Sequence, residues 1–314
     1  MQHSGNSRIP SIKTPSLRAI APSDPAGRGR RFWHLTTLTL VAFALAACAA
    51  VKMGYNNGDT LTLIWINRYL DLDRNQDALV HERVQAWFHW HRTTQLPDYA
   101  GLAGEIEKRV GGPVTASEVA ALETQIRLRW HRLVERTLPD AADLALTLRP
   151  DQFAKMERKF ASNDDKYRTD WVDISPARRN HLLFHKALDR VEYWYGPLSP
   201  EQRATLRHAV ESQPVDTPLW LSERQSREKE LIALLRQISE QRPPRDTVIR
   251  LLGAYVARLE TSPDPRHRSY METLDQSNRE LYALVANLAT PSQREHAAAK
   301  LQGWVEDFNT ASKK

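Results

Sequence analysis

The sequence predicts an all-α protein, an antiparallel multi-helix bundle of about ten helices. Three observations support this fold class. Helix-opening signals recur along the chain, apolar residues follow them at a spacing of three or four, and no stretch shows sustained β alternation. Short connections favour antiparallel neighbours. The turns marked by Gly or Pro lie at 111–113, 196–197, 243–244 and 263–265.

The leader comes first along the chain. An apolar, uncharged run of 13 residues, 35–47, follows the basic residues Arg28, Arg30 and Arg31. This run is shorter than the about 20 residues that a membrane-spanning helix needs. A basic region followed by a short apolar run and small residues is typical of a cleaved signal peptide. The alternative is an uncleaved signal anchor over 32–51.

Cys48, the only cysteine, directly follows this run. Leu45-Ala46-Ala47-Cys48 resembles the lipobox of bacterial lipoproteins, which implies cleavage before Cys48 and lipid attachment to its sulfur. Two lipid signals suffice for stable anchoring. Ala49, where Asp would favour inner-membrane retention, implies the outer membrane and a body that faces the periplasm. Residues 1–47 are therefore predicted to be a signal peptide, and the membrane is a predicted partner through Cys48.

The charge of the body differs from that of the whole chain. The formal net charge of +6 suggests nucleic-acid binding at first sight. Residues 1–47 contribute six basic residues and one acidic residue, so 38 basic and 37 acidic residues remain. A nearly neutral body without a basic block argues against a nucleic-acid partner. With Cys48 lipidated, no thiol remains for a disulfide, a thiolate metal site or a cysteine nucleophile.

The first helices of the body contain the densest aromatic segment, 84–100. Val80, Val84, Trp87 and His91 share one helical face, whereas other rings cover most of the circumference. Two interpretations remain open: a helix buried on nearly all sides, or an exposed recognition surface. The candidate binding surface consists of Trp87, Trp90, His91, Arg92, Gln95 and Tyr99.

Two apolar stripes follow. The first is predicted to be the inner face of a helix and consists of Val119, Leu122, Ile126, Trp130 and Leu133. The second consists of Phe153, Met156, Phe160, Tyr167 and Trp171. Between Phe160 and Tyr167 the helical spacing calls for one more apolar residue, and that position falls on Asn163 or Asp164. A buried polar residue there needs a hydrogen bond. Asn163 is the candidate, either as a residue that fixes helix register or as part of an internal pocket.

Three segments, 148–160, 198–210 and 289–301, begin alike. Ser199 and Thr290 precede Pro at the first helical position, and Gln202 and Gln293 complete capping boxes. One interpretation is repeated use of a good helix start. The other is that Leu-Ser-Pro-Glu-Gln resembles the Leu-Thr-x-x-Gln motif of the Spy/CpxP type of periplasmic chaperone. The copy at 148 departs from it, because Arg149 replaces the capping hydroxyl.

The sequence contains few residue patterns that indicate catalysis or metal binding. His181, His185 and Asp189 would share a helix face and could hold a metal, but Leu182 stands where a zincin has its general-base glutamate. The other interpretation is a solvated polar face. The chain has no Gly-rich phosphate loop and no Gly-x-Ser-x-Gly elbow. We assign no catalytic residue and predict no metal site and no cofactor.

A wider resemblance covers essentially the whole mature chain. It is carried by 45–76, by 87–100, by 198–202, by Trp220 with Arg224 and Arg227, and by 290–308. These segments look like a family of lipoproteins of unknown function from Gram-negative bacteria. The resemblance implies an all-helical fold and membrane anchoring, and no site residues.

Together these observations predict a lipid-anchored periplasmic protein that acts by binding, as an adaptor or a chaperone-like envelope factor with an envelope protein as partner or client. One alternative is a hydrolase of envelope glycans or lipids, acting through His91 with Asp98 or through the 181–189 face. Another is a structural spacer. Gly196 suggests a boundary between two packed subdomains, 48–196 and 197–314, although one continuous bundle is equally compatible with the sequence.

Overall fold

The computed structural model describes residues 57–313, and α-helices joined by short turns account for nearly all of them. No strand occurs in this range, which confirms the predicted all-α bundle of about ten helices. The predicted leader and Cys48 lie outside the described residues. In chain order the elements are α1 (Gly58–Leu70), α2 (Arg74–Trp90), π1 (His91–Gln95), α3 (Leu96–Arg109), α4 (Ala116–Ala145), α5 (Pro150–Tyr167), π2 (Arg168–Val172), α6 (Pro176–Tyr195), α7 (Pro200–Glu211), α8 (Thr217–Gln241), α9 (Arg245–Glu260), α10 (Pro265–Leu288) and α11 (Pro291–Ser312).

Local capping signals set most of the helix starts. Ser175, Ser199 and Thr290 each accept a hydrogen bond from the backbone N–H three residues on, as the sequence predicts. At α8, Asp216 is the N-cap and accepts from the Leu219 N–H at 2.8 Å.

Two apolar clusters hold the helices together. The larger one joins α1, the end of α4, the start of α5, the second half of α8, and α9; Ile238 and Val248 are completely buried in it. The smaller one joins α6, α7 and α10 around Phe184 and Leu206. Within the described residues no helix is both long enough and apolar enough to cross a bilayer.

The helix pairings cross the predicted boundary at Gly196. α3 packs closely along α11, with Ala100 and Ala103 buried on one side and Ala297 on the other. α4 packs against α9 and α10, and α5 packs against α8. Gly196 ends α6 with a φ of 76°, a conformation that suits glycine. This position is a turn inside one compact unit, 52–314, and the division into two subdomains stays a prediction.

Part of the apolar stripe on α4 faces solvent, whereas the sequence predicts that it faces inwards. Ile126 and Trp130 on α4 are exposed, although the stripe from Val119 to Leu133 predicts burial. Trp130 donates its indole N–H to the Glu260 carboxylate at 3.0 Å at the end of α9. The apolar residues therefore have the predicted helical spacing, but in the middle part of α4 they are exposed to solvent.

Two buried glutamines join the starts of α2 and α5. Gln76 donates to the Gln152 side-chain oxygen at 3.1 Å, and Gln152 donates to the Gln76 oxygen at 2.7 Å. Gln76 also donates to the Thr147 carbonyl, and Gln152 donates to the Leu70 carbonyl, both at 2.9 Å. Each side-chain oxygen additionally accepts from the backbone N–H of its own N-cap residue. The two amides therefore satisfy each other's hydrogen-bonding groups and those of the backbone in both turns.

The same arrangement recurs at the starts of α7 and α11. Gln202 and Gln293 exchange hydrogen bonds of 2.8 and 3.1 Å, and they donate to the carbonyls of Leu288 and Pro197 respectively. The three similar segments of the sequence thus belong to a set of four. The fourth is the start of α2, where Gln76 occupies the same position without a preceding proline.

The paired glutamines yield a stability prediction. Gln202→Ala removes one amide, so the Leu288 carbonyl and the Ser199 N–H lose the bonds that Gln202 makes with them, and Gln293 keeps only its bonds to Pro197 and Thr290. We expect a loss of about 2–3 kcal/mol in the free energy of unfolding. Urea unfolding of the full chain measures it. The exposed Gln302→Ala, which removes only a contact with Glu306 on the same helix, is the control and should change stability by less than about 0.5 kcal/mol.

A double variant tests whether the two amides act as a unit. Gln202→Ala with Gln293→Ala should cost less than the sum of the two single changes, because each single change already leaves the other amide unpaired. Strict additivity of the two losses would contradict the pairing.

Candidate binding groove

α5 and α8 run antiparallel and are linked at four points along their length. Each link joins a side chain of α8 to a group on α5 or beside its ends. In order along α5 they are Ser239 to the Leu148 carbonyl at 3.0 Å, Arg236 to Glu157 at 2.8 Å, Arg224 to Asp164 at 3.0 Å, and Thr217 to the Trp171 carbonyl at 3.1 Å. These links fix the register of the pair.

A groove of about 540 Å³ lies between the two middle links. Phe160 and the buried Ile232 supply its apolar surface, and the small side chains of Ala161 and Ala233 leave room above it. The residues between the links span about 10 Å of α5 and about 18 Å of α8 at a rise of 1.5 Å per residue. The remaining lining residues are polar or charged: Glu157, Asp164, Asp165, Gln225, Glu228, Lys229 and Arg236.

A carboxyl pair with a shared arginine closes one end of the groove. Arg224 Nε lies 3.0 Å from both Asp164 Oδ1 and Glu228 Oε1. Asp164 is only 7% exposed. Burial raises the pKa of Glu228, and the neighbouring Asp164 carboxylate raises it further, whereas Arg224 lowers it. A protonated Glu228 can donate a hydrogen bond to Asp164, so this end of the groove is more than a simple salt bridge.

The π-helical segment π2 positions the N-terminal end of α8. Its Trp171 carbonyl accepts from Thr217 of α8 and from Arg179 of α6, the latter at 2.9 Å. The ammonium group of Lys186 lies 4.2 Å from the centre of the Trp171 ring. A π-helical turn frees backbone carbonyls from the regular helical pattern, and here one of them joins three helices.

Asn163 lies on the side of α5 that faces α1. It is half-buried, and its amide donates to the Tyr69 hydroxyl at 2.9 Å. The Tyr69 ring in turn packs 5.6 Å from the ring of Phe160, which lines the groove. The buried polar side chain at this point of the apolar stripe is that of the next residue, Asp164, which lines the groove. Asn163 therefore holds α1 against the helix that forms one wall.

The candidate surface of 84–100 lies at a junction between helices. Trp87 donates its indole N–H to the buried Asp140 of α4 at 2.6 Å, and Arg136 binds the same carboxylate at 3.0 Å. Gln95 is buried. The other candidates are half-buried: Trp87, Trp90, His91, Arg92 and Tyr99. Packing against α4 accounts for the position of Trp87, and a recognition role for the group remains a prediction.

Ring contacts extend this junction to α11. The ring centre of His91 lies 5.3 Å from that of Tyr99, which lies 6.1 Å from Phe308, and Phe308 lies 5.9 Å from Trp304. Burial lowers the pKa of His91, so its imidazole is neutral at pH 7. These contacts hold α3 and π1 against the last helix.

The histidines of the hydrolase alternative lie apart from the groove. His181 and His185 are exposed on α6 with ring centres 4.3 Å apart. Asp98 pairs with Arg129 at 2.8 Å and with Arg132 at 3.4 Å. Within 57–313 no group of three or more His, Cys, Asp or Glu side chains could hold a metal ion.

Sequence reasoning missed three features of this region: the carboxyl pair Asp164 and Glu228, the buried Asp140, and the buried glutamine pairs. One signal pointed towards the groove, because Arg224 belongs to the Trp220-Arg224-Arg227 spacing. On the structure Arg224 holds the carboxyl pair, whereas Arg227 binds Glu223 of its own helix at 3.0 Å.

The carboxyl pair predicts a pH dependence of stability. The pKa of Glu228 is raised above 4.5, so between pH 4.5 and that raised value the folded protein retains a proton that the unfolded chain has lost. The contribution of Glu228 to the free energy of unfolding should therefore fall as the pH rises through this interval. Glu228→Gln should flatten this fall, as measured by urea unfolding from pH 4 to 8.

The exposed Glu240→Gln on the same helix is the matched control for removing a carboxylate. Equal pH profiles for wild type and Glu228→Gln would show that the pair does not titrate in the folded protein.

Comparison with known proteins gives one assignment. Residues 68–251 match the model of DUF6279, a family of unknown function, and this range includes both walls of the groove. No curated protein and no solved structure matches the chain. Since the family model covers more than half of its residues, the chain belongs to the DUF6279 family.

Proposed function

We propose that this chain is a lipid-anchored, periplasm-facing binding protein whose groove between α5 and α8 takes a polypeptide segment of an envelope protein. The observation that carries the proposal is the groove itself, with its apolar surface and its charged ends. The anchoring part of the proposal is supported by the lipobox at Leu45-Ala46-Ala47-Cys48 and by Ala49, which favours the outer membrane.

The chemistry of the lining favours a polypeptide. Phe160 and Ile232 offer an apolar patch for one or two apolar side chains, as in the binding of an amphipathic helix to a groove. Ion pairs flank this patch at both ends of the groove: Glu157 with Arg236 at one end, and Asp164 and Glu228 around Arg224 at the other. Charged ends of this kind suit a segment that carries charged residues beside its apolar ones.

The buried glutamines limit how the chaperone resemblance is used. The helix starts at α5, α7 and α11 resemble the Spy/CpxP motif, which supports a chaperone-like form of the proposal. Their Gln side chains are buried in pairs, however, and their hydrogen bonds are used inside the protein. We therefore assign contact with a client to the groove and not to these motifs.

Site-specific photo-crosslinking in cells tests the proposal. Ala161 and Ala233 are small, exposed and line the groove, so each can be replaced by a photoreactive phenylalanine analogue in the full chain. The exposed Ala204 on α7 is the matched control. We expect both groove positions, and not the control, to capture the same polypeptides. A single dominant partner indicates an adaptor, and a broad set indicates a chaperone-like holder.

A second change makes the crosslinking specific for the groove. Phe160→Glu places a charge on the apolar surface and should abolish capture from Ala233 while the helical circular dichroism spectrum is retained. Capture that is equal at Ala204 and at the groove positions, or that survives Phe160→Glu, would contradict the proposal and leave the structural spacer as the better interpretation.

A further inference from the structure

The first described helix carries apolar side chains on two faces. Ile66, Tyr69 and Leu70 point inwards and pack with the larger apolar cluster. On the outer face, Leu61, Ile64 and Trp65 are 55%, 51% and 60% exposed. A surface helix that packs on one side normally has a polar outer face. The outer face of α1 is therefore the unusual one.

The exposed side chains form a continuous stripe. Leu61, Ile64, Trp65 and Arg68 follow one another at spacings of three, one and three, which places them along one side of a helix, and Arg68 is also exposed. The nearest acidic residue of the helix, Asp59, lies about 160° around the axis from Leu61. The Trp65 ring packs 5.0 Å from the Tyr69 ring, which orients it along the helix surface.

The position of this stripe in the chain identifies its partner. Cys48 precedes Asn57 by nine residues. Nine residues reach at most about 30 Å when fully extended, so a lipid on Cys48 keeps α1 within that distance of the bilayer. The other exposed large apolar residues, such as Trp130 and Tyr282, lie far along the chain from this attachment point.

We propose that the outer face of α1 lies in the headgroup region of the phospholipid bilayer to which Cys48 is attached. This inference rests on the proposed lipid anchoring and adds to it a defined orientation of α1 on the bilayer. Leu61 and Ile64 bury their side chains at the boundary of the acyl chains, and Trp65 takes the interfacial position that its amphipathic ring favours. The Arg68 guanidinium pairs with a lipid phosphate.

Quenching of tryptophan fluorescence by brominated lipids tests this contact. The lipidated mature chain is reconstituted into vesicles of phosphatidylethanolamine and phosphatidylglycerol with brominated acyl chains. Bromine quenches only those rings that reach the bilayer. We expect Trp65→Phe to lose most of the quenching, because the ring that reaches the acyl chains is then absent. The comparably exposed Trp130→Phe on α4 is the control and should retain it.

The same preparation separates failure of this inference from failure of the anchoring proposal. Mass spectrometry of the N-terminal peptide shows whether Cys48 carries lipid. A lipidated chain in which Trp65→Phe is quenched like the wild type overturns the contact of α1 and leaves the anchoring intact. A Cys48 without lipid overturns both.

A second copy of the chain is the competing occupant of the stripe. Sedimentation in detergent without vesicles measures the oligomeric state of the wild type and of Ile64→Glu. A dimer that Ile64→Glu dissociates, together with an unquenched Trp65, would assign the stripe to self-association and overturn the membrane contact. A monomer with Trp65-dependent quenching supports it.

Discussion

The reciprocal glutamine pairs are the constraint on which the rest of the bundle depends. A buried amide must satisfy its donors and its acceptor within the protein, because an orphaned group costs about 1–3 kcal/mol. Gln76 and Gln152 satisfy each other, and so do Gln202 and Gln293. Since each amide oxygen also accepts a hydrogen bond from the backbone N–H of its own N-cap residue, neither helix of a pair can shift without breaking bonds at both starts. The first glutamine pair fixes where α2 and α5 begin, and the second fixes where α7 and α11 begin.

The groove follows from the position of α5. Gln152 fixes the start of this helix, and the links to α8 fix its register further along. Between the two middle links, Ala161 and Ala233 are too small to fill the space over Phe160 and Ile232. The partly exposed ion pair of Glu157 with Arg236 contributes little stability by itself. Its role, and that of Arg224 with the carboxyl pair, is to hold the two helices at a fixed register beside an unfilled surface.

Local signals made much of this fold predictable, and long-range pairing did not. Ser199 with Gln202 and Thr290 with Gln293 are capping boxes that can be recognised within four residues of sequence. That Gln202 and Gln293 then bind each other depends on helices 91 residues apart. The difference between local signals and long-range contacts also explains why Ile126 is exposed despite its helical spacing. The spacing of apolar residues shows which of them share a helix face, but not whether another helix packs on that face. At Asn163 and Asp164, one residue of difference, about 100° around the helix, separates the contact with α1 from the groove.

The two proposals are connected by one helix. The inner face of α1 reaches the groove through Tyr69, whose ring packs against Phe160, and its outer face presents Trp65. An α-helix with its side chains is about 10–12 Å in diameter. With the outer face of α1 on the bilayer, the groove lies about one helix diameter from the lipid headgroups. On these two proposals, a groove at that height would meet the segments of envelope proteins that are closest to the membrane, such as the linkers that follow their own anchors. The apolar surface around Phe160, accessible beside the bilayer and bounded by charged side chains, is suited to such segments.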